Sequence, residues 1–208
     1  MQLTCPACGG ELEFKSRFST MSICPYCQSI LKRNGEMWQQ QGKMAVLPSD
    51  MSPFQIGTQG KYFGKSFEMI GQLKVAWQDG SWNEWYLIEP NGDAAWLAEA
   101  MGFLSYSQEI ILNETLNEPT FLNAGQAITI ENMSYTISDI KEFECVGCVG
   151  ELPFEFTTGM KGISIDLLTT DNNCAYLEYT HGKYRFFKGK NVSFEDLQLT
   201  NLRALDGW

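Results

Sequence analysis

From Phe54 onward the chain alternates short apolar runs with polar or glycine-bearing turns. Phe67-Glu68-Met69-Ile70, Leu73-Lys74-Val75-Ala76-Trp77 and Trp85-Tyr86-Leu87-Ile88 are rich in aromatic and branched residues, which suit a pleated, half-buried surface. Gln78-Asp79-Gly80-Ser81 and Pro90-Asn91-Gly92-Asp93 separate these runs. Asn91-Gly92 adopts at little cost the positive φ angles that a tight hairpin turn requires. The rhythm returns in Ala127-Ile128-Thr129-Ile130, Tyr135-Thr136-Ile137, residues 162–167 and residues 175–179. Helical periodicity is scarce. The best candidate is one or two turns over residues 193–197, where Ser193 and Asp196 stand at capping-box spacing.

The two β stretches read as a diverged repeat. Ser66-Phe67-Glu68-Met69 lies on Ser134-Tyr135-Thr136-Ile137 at an offset of 68 residues. Further on, Glu84 followed by Tyr86-Leu87 is matched with Glu151-Leu152, and Ala95-Trp96-Leu97 with Ala175-Tyr176-Leu177. A compact unit of that size is marginal alone and gains from packing on its twin. The pattern predicts a mainly β chain with an N-terminal zinc ribbon and two related small barrel or sandwich units of SH3-like type. The expected boundaries are 1–34 for the ribbon, 35–53 for a connector, 54–118 for the first β unit and 119–208 for the second. The connector is polar and turn-rich, with one short element around residues 44–47.

The ribbon rests on four cysteines, Cys5-Pro6-Ala7-Cys8 and Cys24-Pro25-Tyr26-Cys27, with fifteen residues between the pairs. Two thiolates at i and i+3 on a tight turn hold one side of a tetrahedral ion, and two such turns close the site. Four soft ligands leave no open position, so the expected cofactor is one structural Zn²⁺; iron as a redox centre is the alternative. Loss of a ligand, as in Cys8→Ser, is expected to unfold the ribbon and leave the β body intact. Seven cysteines, an odd number, and a start at Met1-Gln2-Leu3-Thr4 without an apolar leader favour a reducing, cytoplasmic setting over a disulfide framework.

Charge sharpens this picture. The net charge is −10 at pH 7, and its placement is uneven. Residues 1–47 carry five Lys/Arg against three Asp/Glu, whereas residues 48–208 carry ten against twenty-two. A body this acidic repels phosphate backbones and disfavours nucleic acid as a partner. Only the ribbon escapes, where Lys15, Arg17, Lys32 and Arg33 form a small basic face. No stretch approaches the roughly 18 apolar residues of a membrane helix, so direct membrane insertion is not expected.

Trp82-Asn83-Glu84-Trp85-Tyr86-Leu87, Ala95-Trp96-Leu97 and Gly150-Glu151-Leu152-Pro153 resemble elements of a bacterial family, the proteins carrying the domain of unknown function 4178. Asp166-Leu167 and residues 184–189 match later elements, so the resemblance spans residues 5–199. It implies a zinc ribbon ahead of tandem β-rich units and offers no catalytic residues to carry over. It also implies a setting near phage-shock-type membrane-remodelling coiled-coil proteins and small integral membrane proteins. Cys145-Val146-Gly147-Cys148 departs from the family's small or charged residues.

The remaining chemistry is sparse. Cys145 and Cys148 read as buried small apolar residues; a second metal site with Cys174 and His181, or a thiol redox pair, is the alternative. His181, the only histidine, sits in a turn beside Gly182. Glu84, Glu151 and Asp166 are the carboxylates that acid–base chemistry would use, and no nucleotide-binding or metalloprotease motif occurs. Four tryptophans within twenty residues, Trp77, Trp82, Trp85 and Trp96, exceed what one inward face holds. Trp82, Trp85 and Trp96 are therefore candidates for partner contact or for the repeat core, and Asp206-Gly207-Trp208 for a docking tail. The function expected is that of a non-enzymatic adaptor for a protein partner, linked to a membrane-stress or membrane-remodelling assembly. A nucleic-acid-binding ribbon and an enzyme using Glu84, Glu151 or Asp166 are the alternatives.

Overall fold

A computed structural model describes residues 2–48, 50–169 and 173–204. The tail Asp206-Gly207-Trp208 lies outside them. Five strands come first: β1 (Gln2–Thr4), β2 (Glu11–Glu13), β3 (Met21–Ile23), β4 (Ser29–Asn34) and β5 (Met37–Lys43). The next five are β6 (Gln59–Tyr62), β7 (Lys65–Trp77), β8 (Gly80–Ile88), β9 (Ala94–Ala100) and β10 (Phe103–Ile110). The last five are β11 (Ala127–Ile130), β12 (Met133–Leu152), β13 (Lys161–Leu168), β14 (Asn173–Thr180) and β15 (Lys183–Val192). No α-helix occurs among the described residues, and none is long and apolar enough to cross a membrane.

Strands β7–β10 and β12–β15 form two antiparallel four-stranded meanders. A meander leaves two open edges, and each edge is a row of unpaired amides and carbonyls. Pairing of β10 with β15 and of β7 with β12 removes all four edges and closes one eight-stranded barrel. Each stretch expected as a β unit thus supplies half of the same barrel. Both halves follow the same order, a short hairpin strand and then four longer ones. Gly60 faces Phe67 in the first hairpin and Ile128 faces Tyr135 in the second, at the 68-residue offset. Trp96 on β9 and Tyr176 on β14 also occupy matching strands. Glu84 and Glu151 do not, because Glu84 lies on β8 and Glu151 near the end of β12.

Both faces of the barrel wall are buried, which explains the crowded tryptophans. Tyr86, Trp96, Tyr176 and Phe187 point into the lumen and pack on one another. Their strand neighbours Trp85, Leu87, Leu97, Leu177 and Phe186 point outward and are equally buried. The first half is covered by Phe54 and Leu197, the second by Leu122 with Leu112 and Leu116. Glu99 secures the first cover by accepting hydrogen bonds from Ser52 Oγ at 2.7 Å and Trp85 Nε1 at 3.1 Å. Leu197 is presented by a single 3₁₀ turn, Glu195–Leu197, where one or two helical turns were expected. Ser193 and Asp196 still exchange capping hydrogen bonds there, at 2.8 and 3.3 Å.

The N-terminal module is continuous with the barrel. β3, β4 and β5 form an antiparallel sheet, and β3 also pairs with the end of β12, Ser22 opposite Glu151 and Met21 opposite Leu152. β5 falls within the stretch expected as a connector, and the element anticipated at 44–47 is coil around the buried Met44. β12 can reach β3 only by passing close to β7. At that crossing Gly71 stands opposite Gly150. A Cβ on Gly71 would lie 1.8 Å from the carbonyl oxygen of Glu151, and one on Gly150 would lie 2.2 Å from that of Ile70. Gly150 also has a φ of 72°, in the left-handed region.

Either Gly71→Ala or Gly150→Ala is therefore expected to cost about 3 kcal/mol or more in urea denaturation, through overpacking against backbone. Gly92→Ala has the same kind of φ, 86°, but open space around it, and is expected to cost only about 1 kcal/mol. Similar losses at all three positions would show that the crossing is not sterically tight.

Candidate metal centre and barrel interior

The two cysteine knuckles fold alike. The amide of Gly9 donates to the Cys5 carbonyl at 2.9 Å, and that of Gln28 donates to the Cys24 carbonyl at 2.9 Å. Both turns require a left-handed residue, supplied by Gly9 and by Gln28. They face each other closely enough that the Tyr26 ring of the second covers Gly10 of the first, where a Cβ would lie 2.5 Å from the ring. The sulfurs of Cys5, Cys8, Cys24 and Cys27 all lie within 4.8 Å of one another, with Cys5–Cys27 at 3.9 Å and Cys8–Cys24 at 3.8 Å. Thiolates at about 2.3 Å from one tetrahedral ion are separated by about 3.8 Å, so the cage fits a metal of zinc's size. The Ser29 hydroxyl, with its backbone amide, holds the Cys27 thiol down to about 6 and favours its ligand form. A small core of Leu12, Phe14, Leu31 and Trp38 backs the cage, with Phe14 and Trp38 stacked at 4.1 Å.

Glu151 ties this module to the barrel. Its carboxylate accepts from the amides of Lys15 at 2.8 Å and Ser16 at 3.2 Å and from the hydroxyl of Ser19 at 2.6 Å. Burial raises its pKa, and the three donors oppose that rise. Ser16 Oγ also meets the lumen phenol of Tyr86 at 3.3 Å. The basic face expected on the module is largely spent: Lys15 pairs with Glu68 at 3.2 Å and Lys32 with Glu155 at 2.8 Å. Arg33 donates to the backbone carbonyls of Gly35 and Arg17.

The other sequence candidates are dispersed. Trp85 and Trp96 are buried, and Trp82 is half-buried against Trp77 and Phe143 with its indole N–H on Glu84 at 2.9 Å. Glu84 is buried, Glu151 is consumed by the module, and Asp166 is exposed beside Lys141 at 3.6 Å, so the three carboxylates form no common site. Cys145 and Cys148 are buried in the barrel core, where desolvation pushes both thiols up, Cys148 to about 12. His181 is at the exposed tip between β14 and β15. Among the described residues only the four N-terminal cysteines cluster as metal ligands.

The sequence reading missed the most densely charged place in the barrel. Arg185 on β15 donates to both oxygens of Glu109 at 3.0 and 2.8 Å and to Glu178 on β14 at 3.2 Å. Its guanidinium also lies over the rings of Phe154, Phe187 and Trp96 at 4.3, 4.7 and 5.2 Å. Glu178 is only 7% exposed, and burial, with the neighbouring charge of Glu84, raises its pKa well above the ordinary value. The available signal was alternation. Tyr176 and Glu178 share one face of β14, opposite Ala175 and Leu177, and a carboxylate at such a position is lumenal when both faces are covered.

Fold and site together define a closed β-barrel fused to a four-thiol knuckle module. The chain belongs to the family described as domain of unknown function (DUF4178), whose model matches residues 55–194, nearly the extent of the barrel with its leading hairpin strand β6. The cysteine module lies outside that match. No curated protein and no solved structure matches the chain.

The raised pKa of Glu178 has a definite sign. The folded state binds the proton more tightly than the unfolded state, so this group's contribution favours folding at low pH and is lost as pH rises through the folded pKa. Urea midpoints measured from about pH 5 to pH 8 are expected to fall with rising pH in the wild type and to fall less steeply in Glu178→Gln. Parallel slopes in the two proteins would show that Glu178 is not held protonated.

Proposed function

We propose that the protein is a non-enzymatic adaptor in which Cys5, Cys8, Cys24 and Cys27 hold one structural Zn²⁺. The observation that carries this proposal is the Glu151 contact, reinforced by the β3–β12 pairing, which fixes the module on the barrel through backbone groups. A fixed module presents a constant surface to a partner without paying an ordering entropy on binding. Four thiolates complete a tetrahedral shell and leave no position for a substrate, as structural zinc does. The partner-facing residues are exposed apolar groups of the module, Phe18, Tyr26 and Met37, in place of the tryptophans. The partner is a protein, membrane-associated if the family's setting applies, because the acidic body repels anionic lipid. Pairing of Lys15 and Lys32 with carboxylates weakens the case for nucleic acid.

Metal analysis of the purified chain should find one zinc per molecule, and cobalt(II) substitution should give thiolate-to-cobalt charge-transfer absorption that Cys8→Ser removes. Cys8→Ser is also expected to lower the stability of the barrel, by about 2–4 kcal/mol, because melting the module strips the donors from buried Glu151. This differs from the independent β body expected from sequence. Affinity capture from the native host should recover a protein with the wild type and lose it with Tyr26→Asp. Equal recovery with Tyr26→Asp and Cys8→Ser would move the interface off the module, and capture of nothing by the wild type would defeat the adaptor proposal.

A further inference from the structure

Closure removes the barrel edges only where strands overlap. β7 meets β12 from Glu144 to Gly150, and β11 meets it from Met133 to Thr136. Ile137 extends the second contact by one residue, bonding the Gln126 carbonyl at 2.9 Å and the Gly125 amide at 2.8 Å. Between these limits β12 keeps β13 on one side, and among the described residues no strand pairs with it on the other. At about 3.3 Å per residue, the bare stretch 138–143 is about 20 Å long, which is room for a short strand.

Alternation along the strand decides which backbone groups face this gap. Cys145 spends its amide and carbonyl on the β13 side, on Met160 at 2.8 Å and Gly159 at 2.9 Å. Residues two apart on an antiparallel strand point their backbone groups the same way. Phe143 and Lys141 therefore also turn toward β13, while Glu144, Glu142 and Ile140 turn away from it. Glu144 meets Ala76 of β7 there, and the Ile140 amide is taken by the Asp139 carboxylate at 2.8 Å. The Ile140 carbonyl and both backbone groups of Glu142 are left facing the gap. They open onto a cleft of about 950 Å³ beside the tip of the β7–β8 hairpin, with Trp77, Ile140, Phe143 and Ile163 as its apolar walls.

We propose that this bare length of β12 binds an extended, basic segment of a protein partner as an added strand. The free donor and acceptors at Glu142 and Ile140 are the groups that strand addition uses, and the apolar walls take alternate side chains of the incoming segment. Charge selects the kind of segment. Asp79, Glu142 and Glu144 line the cleft and are all exposed. Against them stand Lys161 and Lys141, and Lys141 is already shared by Asp139 and Asp166. The cleft is thus net negative. The same charges turn away a second copy of this edge, which would bring Glu142 and Glu144 of both chains together, and they repel nucleic acid. The surface lies on the barrel, so it is independent of the module contact proposed above.

Calorimetry on the full chain with three end-blocked peptides tests the proposal. Lys-Val-Lys-Val-Thr-Val is basic and strand-forming, Glu-Val-Glu-Val-Thr-Val reverses its charge, and the basic peptide N-methylated at every amide keeps the charge but loses the donors. The basic peptide is expected to bind at least about tenfold more tightly than the acidic one, and the methylated one not to bind. Glu142→Pro removes an amide that faces the gap and leaves the β13 ladder intact, so it should weaken binding of the basic peptide at least about tenfold. Tyr26→Asp should bind that peptide as the wild type does. Equal binding of the acidic or the methylated peptide would overturn the proposal, because neither charge nor strand pairing would then select the ligand. So would a basic peptide that ignores Glu142→Pro, that is lost with Tyr26→Asp, or that fails to bind the wild type.

Discussion

The passage of β12 across β7 is the contact on which the rest of the molecule depends. One strand of twenty residues pairs with β13 along its first part, with β7 along its second and with β3 at its end. The β7 pairing closes the barrel, and the β3 pairing attaches the cysteine module. Both need the two backbones to approach at Gly71 and Gly150 more closely than any side chain permits. Glu151, the next residue, then enters the module and satisfies two of its amides. Barrel closure and module docking are therefore a single geometric event along one strand.

Burial on both sides of the wall follows from that closure. An open antiparallel sheet with one solvated face shows strict alternation of apolar and polar residues. Here the lumen and the covered outer faces each demand apolar side chains, so runs such as Trp85-Tyr86-Leu87-Ile88 are continuous. Polar residues inside such runs must then find partners inside the protein. Glu84 takes the Trp82 indole, Glu178 takes Arg185, and Ser107 takes the Tyr176 phenol at 2.9 Å.

Much of the architecture was legible because it is local. The knuckles follow from cysteine spacing and small or turn-forming neighbours, the strand positions from aromatic and branched runs, and the family from short motifs around Trp82 and Gly150. What was not legible depends on distant pairing. Trp85 and Trp96 look like surplus for one inward face, and only the covers from Phe54 and Leu197 show where Trp85 is stored. Glu151 resembles Glu84 in its apolar setting, yet one faces the lumen and the other binds amides more than 130 residues away, at separations of 136 and 135. The charged cluster around Arg185 escaped for the same reason, since Glu109 and Glu178 reach it from two different strands.

That long separation also orders events during synthesis. The cysteine module precedes the barrel along the chain, so its four thiols are together before β12 is made. Strand β3 nevertheless keeps an unpaired edge, and Lys15 and Ser16 keep unpaired amides, until residues 151 and 152 have left the ribosome. The nascent chain thus carries the β3–β4–β5 sheet with one unpaired side until the end of β12 is made. A holdase or an early-binding partner that covers that edge would guard this protein while its last half is still being made.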